Sequence, residues 1–244
     1  MRVSKLERYR QNATFPNLLE PPITDLLQRA FPLRGKWNAE YFRREGAISL
    51  EIGCGWGEFS LGLARCYPEK NVLGLDSKGA RVWHGARTAL ETGLTNLGFI
   101  RVEGEGLEGL FASGELREIW ITFPTPYLRK PDKMLIAPAF LARYRTLLGP
   151  GGVLRLLTDV APLGEYARTI WPLCGFEMTV DTLWDGPCGV DETFRHEEVC
   201  TRFQARAIAQ RKSIRYLCAV PVPGEVKPIP PETLRNPWMG AAAS

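Results

Sequence analysis

Short apolar runs alternate with stretches of helical periodicity from residue 47 to about residue 174. The first run, 47–53, ends in a glycine-rich turn, and apolar residues at helical spacing follow it from 56 to 66. The same order recurs, with further strands predicted at 71–76, 97–102, 117–123 and 152–159. Strict alternation predicts right-handed βαβ units. We therefore expect an α/β fold with a Rossmann-like, doubly wound, mainly parallel sheet in three αβα layers.

The two ends of the chain differ in texture from this middle. Prolines interrupt short helical stretches in residues 1–44, which predicts an arm rather than a domain. The expected domain, 45–220, closes with strands near its end and carries an irregular insert near 181–212. Six prolines mark residues 221–244 as a tail that is not expected to fold alone.

Composition places the chain among ordinary globular proteins. It has 244 residues, of which 45% are hydrophobic and 24% charged, unlike a disordered chain. No apolar stretch is long enough to cross a bilayer and the start of the chain does not resemble a secretory signal, so we expect a cytoplasmic protein without membrane contact. Six cysteines without a C-x-x-C pair and only two histidines argue against a metal site.

The net charge of +4 hides an uneven distribution. Residues 1–44 hold nine Lys and Arg against four Asp and Glu, and residues 195–217 hold six against two. The acidic segment 45–194 holds fourteen against nineteen. Two basic flanks around an acidic middle favour a polyanionic partner such as a nucleic acid. Solvated surface charge without a partner is the alternative.

The glycine-rich turn lies where open α/β sheets bind ligands, at the carboxyl end of the first predicted strand. In the dinucleotide fingerprint G-x-G-x-x-G, the third glycine follows the second by three residues. Here, with Gly53 as the first glycine, Gly57 follows Gly55 by only two residues. Glu51 precedes the turn, and a carboxylate there suits a cationic ligand. Asp76, about twenty residues further on, can accept hydrogen bonds from both ribose hydroxyls of an adenosine.

These residues together favour S-adenosylmethionine, a ribonucleoside with a sulfonium and an ammonium group, over a dinucleotide. Glu103, after the third predicted strand, is a candidate for the adenine end of the same ligand. The turn, Asp76 and Glu103 each also have a purely structural interpretation. The turn can be a tight strand-to-helix connection, Asp76 a helix cap and Glu103 part of a solvated acidic stretch. Trp56, inside the turn, either covers the ligand or packs beneath it.

Four segments carry a resemblance to one family over roughly residues 5–217. They are Lys5-Leu-Glu-Arg with Ala13-Thr-Phe-Pro-Asn17, Gly74-Leu-Asp-Ser-Lys-Gly-Ala-Arg81, Gly93-Leu-Thr-Asn96, and Glu118-Ile-Trp-Ile-Thr-Phe-Pro124. In these segments the chain resembles the bacterial tRNA (guanine-N7-)-methyltransferases. The resemblance implies a class I methyltransferase fold and transfer of a methyl group from S-adenosylmethionine to N7 of guanosine 46 in tRNA. It also implies donor contacts by Glu51, Asp76 and Glu103.

The resemblance further implies a substrate side formed by Arg129, Asp159 and the segment Thr201-Arg202-Phe203-Gln204. The chain departs from the family pattern at two positions, Thr125 and Gln204, where the family has carboxylates. Asp159 is then the principal carboxylate expected near the base, and the Thr125 hydroxyl can make one hydrogen bond to it. We therefore assign Asp159 and Thr125 as catalytic residues. For Asp159 a helix N-cap is the alternative.

The proposed chemistry needs few protein groups. Guanine N7 has an in-plane lone pair, so it can attack a sulfonium methyl group without first losing a proton. In-line positioning can then supply the catalysis. Three alternatives stay open: a methyltransferase with another substrate, a nicotinamide-dependent oxidoreductase, and a tRNA-binding homologue that has lost catalysis. We expect a monomer or a homodimer.

Overall fold

The structure is a computed structural model that describes residues 3–127, 130–184, 201–224, 226 and 229. In this part of the chain the strands are β1 (Leu18–Leu19), β2 (Ile48–Ile52), β3 (Asn71–Asp76), β4 (Leu97–Arg101), β5 (Leu116–Thr122), β6 (Leu148–Thr158), β7 (Phe176–Trp184) and β8 (Ile214–Pro221). The helices are α1 (Lys5–Asn12), α2 (Ile23–Gln28), α3 (Glu58–Cys66), α4 (Gly79–Glu91), α5 (Leu107–Leu110), α6 (Pro138–Leu147), α7 (Ala161–Leu173) and α8 (Arg202–Ala209).

The strands form one sheet in the order β1-β4-β3-β2-β5-β6-β8-β7. Neighbours from β1 to β6 are parallel, while β8 runs antiparallel to β6 and to β7. The chain moves outward from β2 in one direction through β3 and β4, and then in the other through β5 and β6. A crevice opens at such a reversal, at the carboxyl ends of the strands. The expected doubly wound α/β fold is confirmed.

Two apolar cores separate the helices into layers. Helices α3, α4 and α8 pack on one face of the sheet, and α5, α6 and α7 on the other. The central strands are buried on both faces, as parallel strands between helical layers must be. Their apolar runs, such as Leu50 and Ile119, are therefore fully removed from water, which fixes the strand ends that form the crevice.

The segment before residue 45 lies against the domain. β1 extends the sheet by pairing with β4, and the side-chain amide of Asn17 donates to the Ala86 carbonyl at 2.9 Å. The indole N–H of the fully buried Trp37 donates to the Leu110 carbonyl at 3.0 Å. These bonds tie the predicted arm to α4 and to α5.

The insert predicted as irregular near 181–212 is partly regular, and this expectation was wrong at both ends. β7 continues to Trp184, and α8 occupies Arg202–Ala209. Residues 185–200 lie outside the described part. Most of the predicted tail also lies outside it, but β8 continues through Pro221 and the backbone N–H of Val222 donates to the Gly175 carbonyl at 3.0 Å.

Among the residues that the structure describes, no helix has both the length and the apolar character needed to span a bilayer.

Candidate functional site

A cleft of about 620 Å³ opens at the carboxyl ends of β2, β3, β4 and β5. Seven of the predicted site residues line it: Glu51, Gly53, Gly55, Asp76, Glu103, Thr125 and Thr201. They come from five separate segments, and the parallel sheet brings the first four segments together because its strands end at one edge. A larger hollow of about 950 Å³ lies beside Arg145 at the opposite end of the sheet, and the described residues that line it include no carboxylate. The cleft is therefore the better site for a cationic ligand.

The glycine turn presents open backbone to this cleft. Gly53, Gly55 and Gly57 have φ of 79°, 58° and 74°, a region that favours glycine. A Cβ on Gly57 would lie 2.7 Å from Cε1 of Phe99, so the helix that follows can pack on the sheet only with glycine there. At Gly55 a Cβ would meet nothing within 4 Å. The space beside Gly55 thus admits a ligand to the backbone.

Asp76 is held rigidly at the end of β3. Its Oδ2 accepts the backbone N–H of Gly55 at 3.0 Å, and its Oδ1 accepts that of Lys78 at 2.8 Å. The side chain is buried but lines the cleft. Helix α4 has Lys78 at its N-cap and no side-chain cap. Asp76 therefore stabilises the turns around the cleft, and the helix-cap interpretation does not hold.

Glu51 lies beneath the turn and is almost completely buried. Its carboxylate accepts bonds from the backbone N–H of Ser60 at 3.0 Å and from the Ser60 hydroxyl, and Thr122 Oγ1 donates to it at 2.6 Å. Burial raises the pKa of Glu51 from 4.5 to about 7, although the bonds from Ser60 and Thr122 oppose that rise. A nearby positive charge would favour the ionised form.

The outer wall and rim of the cleft are more exposed. Glu103 follows β4 and lines the cleft with its side chain in contact with solvent. Thr125 is exposed at the rim, next to Tyr127. Phe123, which follows β5, has a φ of 46°, an uncommon conformation for a bulky residue. Its N–H donates to the Leu157 carbonyl at 2.8 Å.

Thr201 and Gln204 form a capping box at the start of α8. The backbone N–H of Gln204 donates to Thr201 Oγ1 at 3.1 Å, and that of Thr201 donates to Gln204 Oε1 at 3.4 Å. Both side chains are buried. Glutamine and glutamate serve this motif equally. Replacement of the family's carboxylate therefore leaves the helix start intact, and Gln204 has a structural role that the sequence interpretation did not include.

The structure does not bring the other two predicted substrate residues, Asp159 and Arg129, into the described cleft lining. Asp159 is absent from the cleft lining, and its Oδ2 accepts from Lys212 Nζ at 3.0 Å. The alternative of a helix cap does not hold either, because Val160 is the N-cap of α7. Arg129 lies outside the described residues.

Arg202 contacts two side chains at the glycine turn, those of Glu58 and Trp56. Its guanidinium makes a bidentate ion pair with Glu58, with Nη2 2.7 Å from Oε1, and its Cζ lies 3.3 Å from the ring centroid of Trp56. Trp56 stacks on His84 with ring centroids 3.9 Å apart. Burial raises the pKa of Glu58, but the hydrogen bonds and charge of Arg202 outweigh this and hold it below its usual value. We name this pair the clasp.

The sequence interpretation did not predict the clasp or the ring contacts of Trp56. Glu58 was not a candidate, and its partner lies 144 residues away. The ring of Trp56 lies between Arg202 and His84 and remains 40% exposed. The described residues contain no group of three or more His, Cys, Asp and Glu that could hold a metal ion.

Comparisons with known proteins agree with this geometry. A family model described as "Putative methyltransferase" matches residues 45–217. The tRNA (guanine-N(7)-)-methyltransferase of Porphyromonas gingivalis is 38% identical over 208 residues, 84% of this chain and 84% of the relative. That of Christiangramia forsetii is 44% identical over 158 residues, 64% of this chain and 70% of the relative.

Two solved structures share the fold. The 16S rRNA methyltransferase KamB matches with a TM-score of 0.60 and 18% identity, over 80% of this chain and 96% of that one. An antibiotic-related methyltransferase matches with a TM-score of 0.59 and 16% identity, over 79% and 97%. The sheet order and the cleft at its reversal thus define a class I methyltransferase. At the level of sequence, the chain belongs to the tRNA (guanine-N7-)-methyltransferase family, and the resemblance is confirmed.

Proposed function

We propose that this chain transfers a methyl group from S-adenosylmethionine to N7 of a guanosine in tRNA, at position 46. The observation that carries the proposal is the cleft, where Glu51, Asp76 and Glu103 surround a glycine turn with open backbone. A cation suits this acidic lining, and the two phosphates of a nicotinamide dinucleotide do not. The names of the relatives supply the tRNA and the guanine.

The residues of the cleft fit the donor in chemistry and in space. Asp76 is oriented by two backbone N–H groups and keeps acceptor capacity for ribose hydroxyls. Glu51 lies where a positive charge would hold it ionised. The open side of Gly55 lets a nucleoside approach the backbone. When bound, S-adenosylmethionine supplies a methyl group on a positively charged sulfur.

The reaction balances without a proton acceptor. Guanine N7 forms a bond to the methyl carbon while the carbon–sulfur bond breaks and its electron pair stays on sulfur. The sulfur becomes neutral, and the methylated base carries the positive charge. Because N7 has no proton to lose, the protein needs no general base. Its task is to hold N7, carbon and sulfur in line, an effect that reaches about 7–11 kcal/mol in well-oriented systems.

On the substrate side, we propose Thr125 as a polar contact to the base, since it is exposed at the rim. Asp159, which pairs with Lys212 outside the cleft lining, stays a proposed contact to the substrate. Arg129 remains a proposed phosphate contact. Cytoplasmic localisation follows from the proposed tRNA substrate.

The test uses S-adenosylmethionine with a trideuterated methyl group and unmodified tRNA. Nuclease digestion and mass spectrometry should show trideuterated 7-methylguanosine. Asp76→Ala should reduce its formation at least about tenfold, because each lost hydrogen bond to a charged group costs about 1.5–3 kcal/mol. Asp25→Ala is the matched control, since Asp25 forms an exposed pair with Arg29 on α2. Absence of label, or label in another nucleoside, would contradict the proposal.

A further inference from the structure

The first turn of α8 presents an aromatic ring at the cleft. Phe203 lines the cleft and is 50% exposed. The capping box of Thr201 and Gln204 fixes the backbone on either side of it. The clasp between Arg202 and Glu58 then ties this turn to α3. The backbone of Phe203 is therefore held in place, although its ring is half exposed rather than buried in the core.

A second aromatic ring, that of Phe123, lies near Phe203. The rings of Phe123 and Phe203 are nearly parallel, with centroids 6.3 Å apart and an angle of 19° between their planes. Phe123 packs against the apolar core while its backbone is held at a φ of 46°. Non-glycine residues keep such conformations where the surroundings impose them, often at ligand sites. Two nearly parallel aromatic rings thus line the cleft.

We propose that the exposed face of Phe203 is the stacking surface for the target guanine. This inference rests on the proposed function. A base that receives a methyl group must leave its own stack to reach the donor. An aromatic face replaces that lost stacking. Phe203 lies on the wall of the same cleft as the glycine turn, where the base must enter.

The same surface favours the reaction itself. Positive charge moves from sulfur to the guanine ring during transfer. The face of an aromatic ring carries a negative potential that attracts a cation. Stacking on Phe203 is therefore stronger in the transition state than with the neutral base, and only such differential contacts raise the rate of the chemical step. Loss of the ring should lower kcat as well as raise KM for tRNA.

The test compares three variants of the full chain. Phe203→Leu keeps an apolar side chain but removes the aromatic face, and it should lower kcat/KM for tRNA about 5- to 150-fold. Phe203→Trp keeps an aromatic face and should retain a kcat/KM close to that of the wild type. Ile208→Ala is the matched control, because Ile208 is 52% exposed on the same helix and outside the cleft lining. Donor affinity, measured by calorimetry, should stay unchanged in all three.

A binding experiment separates stacking from a general effect on the fold. We compare filter binding of intact tRNA with that of tRNA lacking the base at the methylated nucleotide. Phe203→Leu should weaken binding of intact tRNA and leave binding of the abasic tRNA unchanged. Equal weakening of both, or wild-type kinetics for Phe203→Leu, would overturn the inference while the proposed function stands. Absence of any transfer by the wild-type chain would instead overturn the proposed function, and this inference with it.

Discussion

Glu58, at the start of α3, and Arg202, at the start of α8, are joined by a bidentate ion pair. Nε and Nη2 of Arg202 lie 3.0 and 2.7 Å from Glu58 Oε1, and the backbone N–H of Arg202 donates to Oε2 at 2.9 Å. The guanidinium also covers Trp56 in the glycine turn. The clasp therefore connects the proposed donor site to the helix that carries Phe203.

We expect the clasp to contribute measurable coupling. Both side chains are about a third exposed, so solvent screens the pair, but its bidentate geometry strengthens it. A double-mutant cycle of Glu58→Gln and Arg202→Gln should give about 1 kcal/mol in urea unfolding. The exposed pair of Arg87 and Glu91 on α4 is the control and should give about 0.3–0.5 kcal/mol. Equal coupling in the two cycles would show that the clasp has no special role.

The raised pKa of Glu51 predicts a pH dependence of stability. Between 4.5 and about 7, the folded ligand-free chain holds a proton that the unfolded chain has released. The contribution of Glu51 to the free energy of unfolding therefore falls as pH rises through this window, by about 3 kcal/mol in total, and is constant above it. Glu51→Gln removes this contribution. In urea titrations, the unfolding free energy of the variant minus that of the wild type should thus grow with pH. A difference that stays constant would refute the titration of Glu51 in this window.

Donor binding should show the opposite trend with pH. A cationic donor favours ionised Glu51, so its affinity should increase from about pH 6 to about pH 8 as the cost of ionisation disappears. Calorimetry in buffers of different ionisation enthalpy should detect proton release on binding at the lower pH. Glu51→Gln should bind more weakly and lose the trend. A trend of equal size in the variant would assign it to another group.

Gln204 is predicted to act through the capping box. Gln204→Glu keeps an acceptor for the Thr201 N–H and places negative charge at a helix N-terminus, so stability should change by less than about 1 kcal/mol and methyl transfer by less than about threefold. Gln204→Leu, of similar size, should lose about 1 kcal/mol. Thermal unfolding and transfer assays check both. A large gain in transfer by Gln204→Glu would show that the family carboxylate acts on the base.

The basic flanks predict salt-dependent tRNA binding. If Lys and Arg from residues 1–44 and 195–217 neutralise about five phosphates, log affinity should fall with log salt at a slope of about −3.5 to −4.5. Filter binding over a range of salt concentrations measures this slope. The structure places part of the first basic flank near the cleft, because α1 packs on α4 beside it. A slope near zero would contradict the prediction that the basic flanks bind a nucleic acid.

The strands and the position of the glycine turn could be predicted because local sequence determines them. Apolar runs ending in Glu51 and Asp76 specify buried parallel strands, and parallel strands bring their carboxyl ends together. The glycine turn was visible from its composition alone. The start of α8 also had a signal, since Thr201 and Gln204 stand at capping-box spacing.

The substrate side was less predictable because its contacts join distant segments. No local pattern pairs Glu58 with Arg202, or Phe123 with Phe203. The ion pair of Asp159 with Lys212 depends on how β8 returns beside β6. Burial of Gln204 likewise follows from the packing of α8 on the sheet, so the sequence showed a lost carboxylate but not the structural role of the glutamine.

The most direct measurement of the central claim replaces the acceptor atom. A tRNA transcript made with 7-deazaguanosine has a carbon where N7 stands and no in-plane lone pair there, while its other base edges keep their hydrogen-bonding groups. We predict transfer of a labelled methyl group to the normal transcript and none to the 7-deaza transcript, although both bind. Equal labelling of the two transcripts would show that the methyl group goes to another atom and would contradict the account.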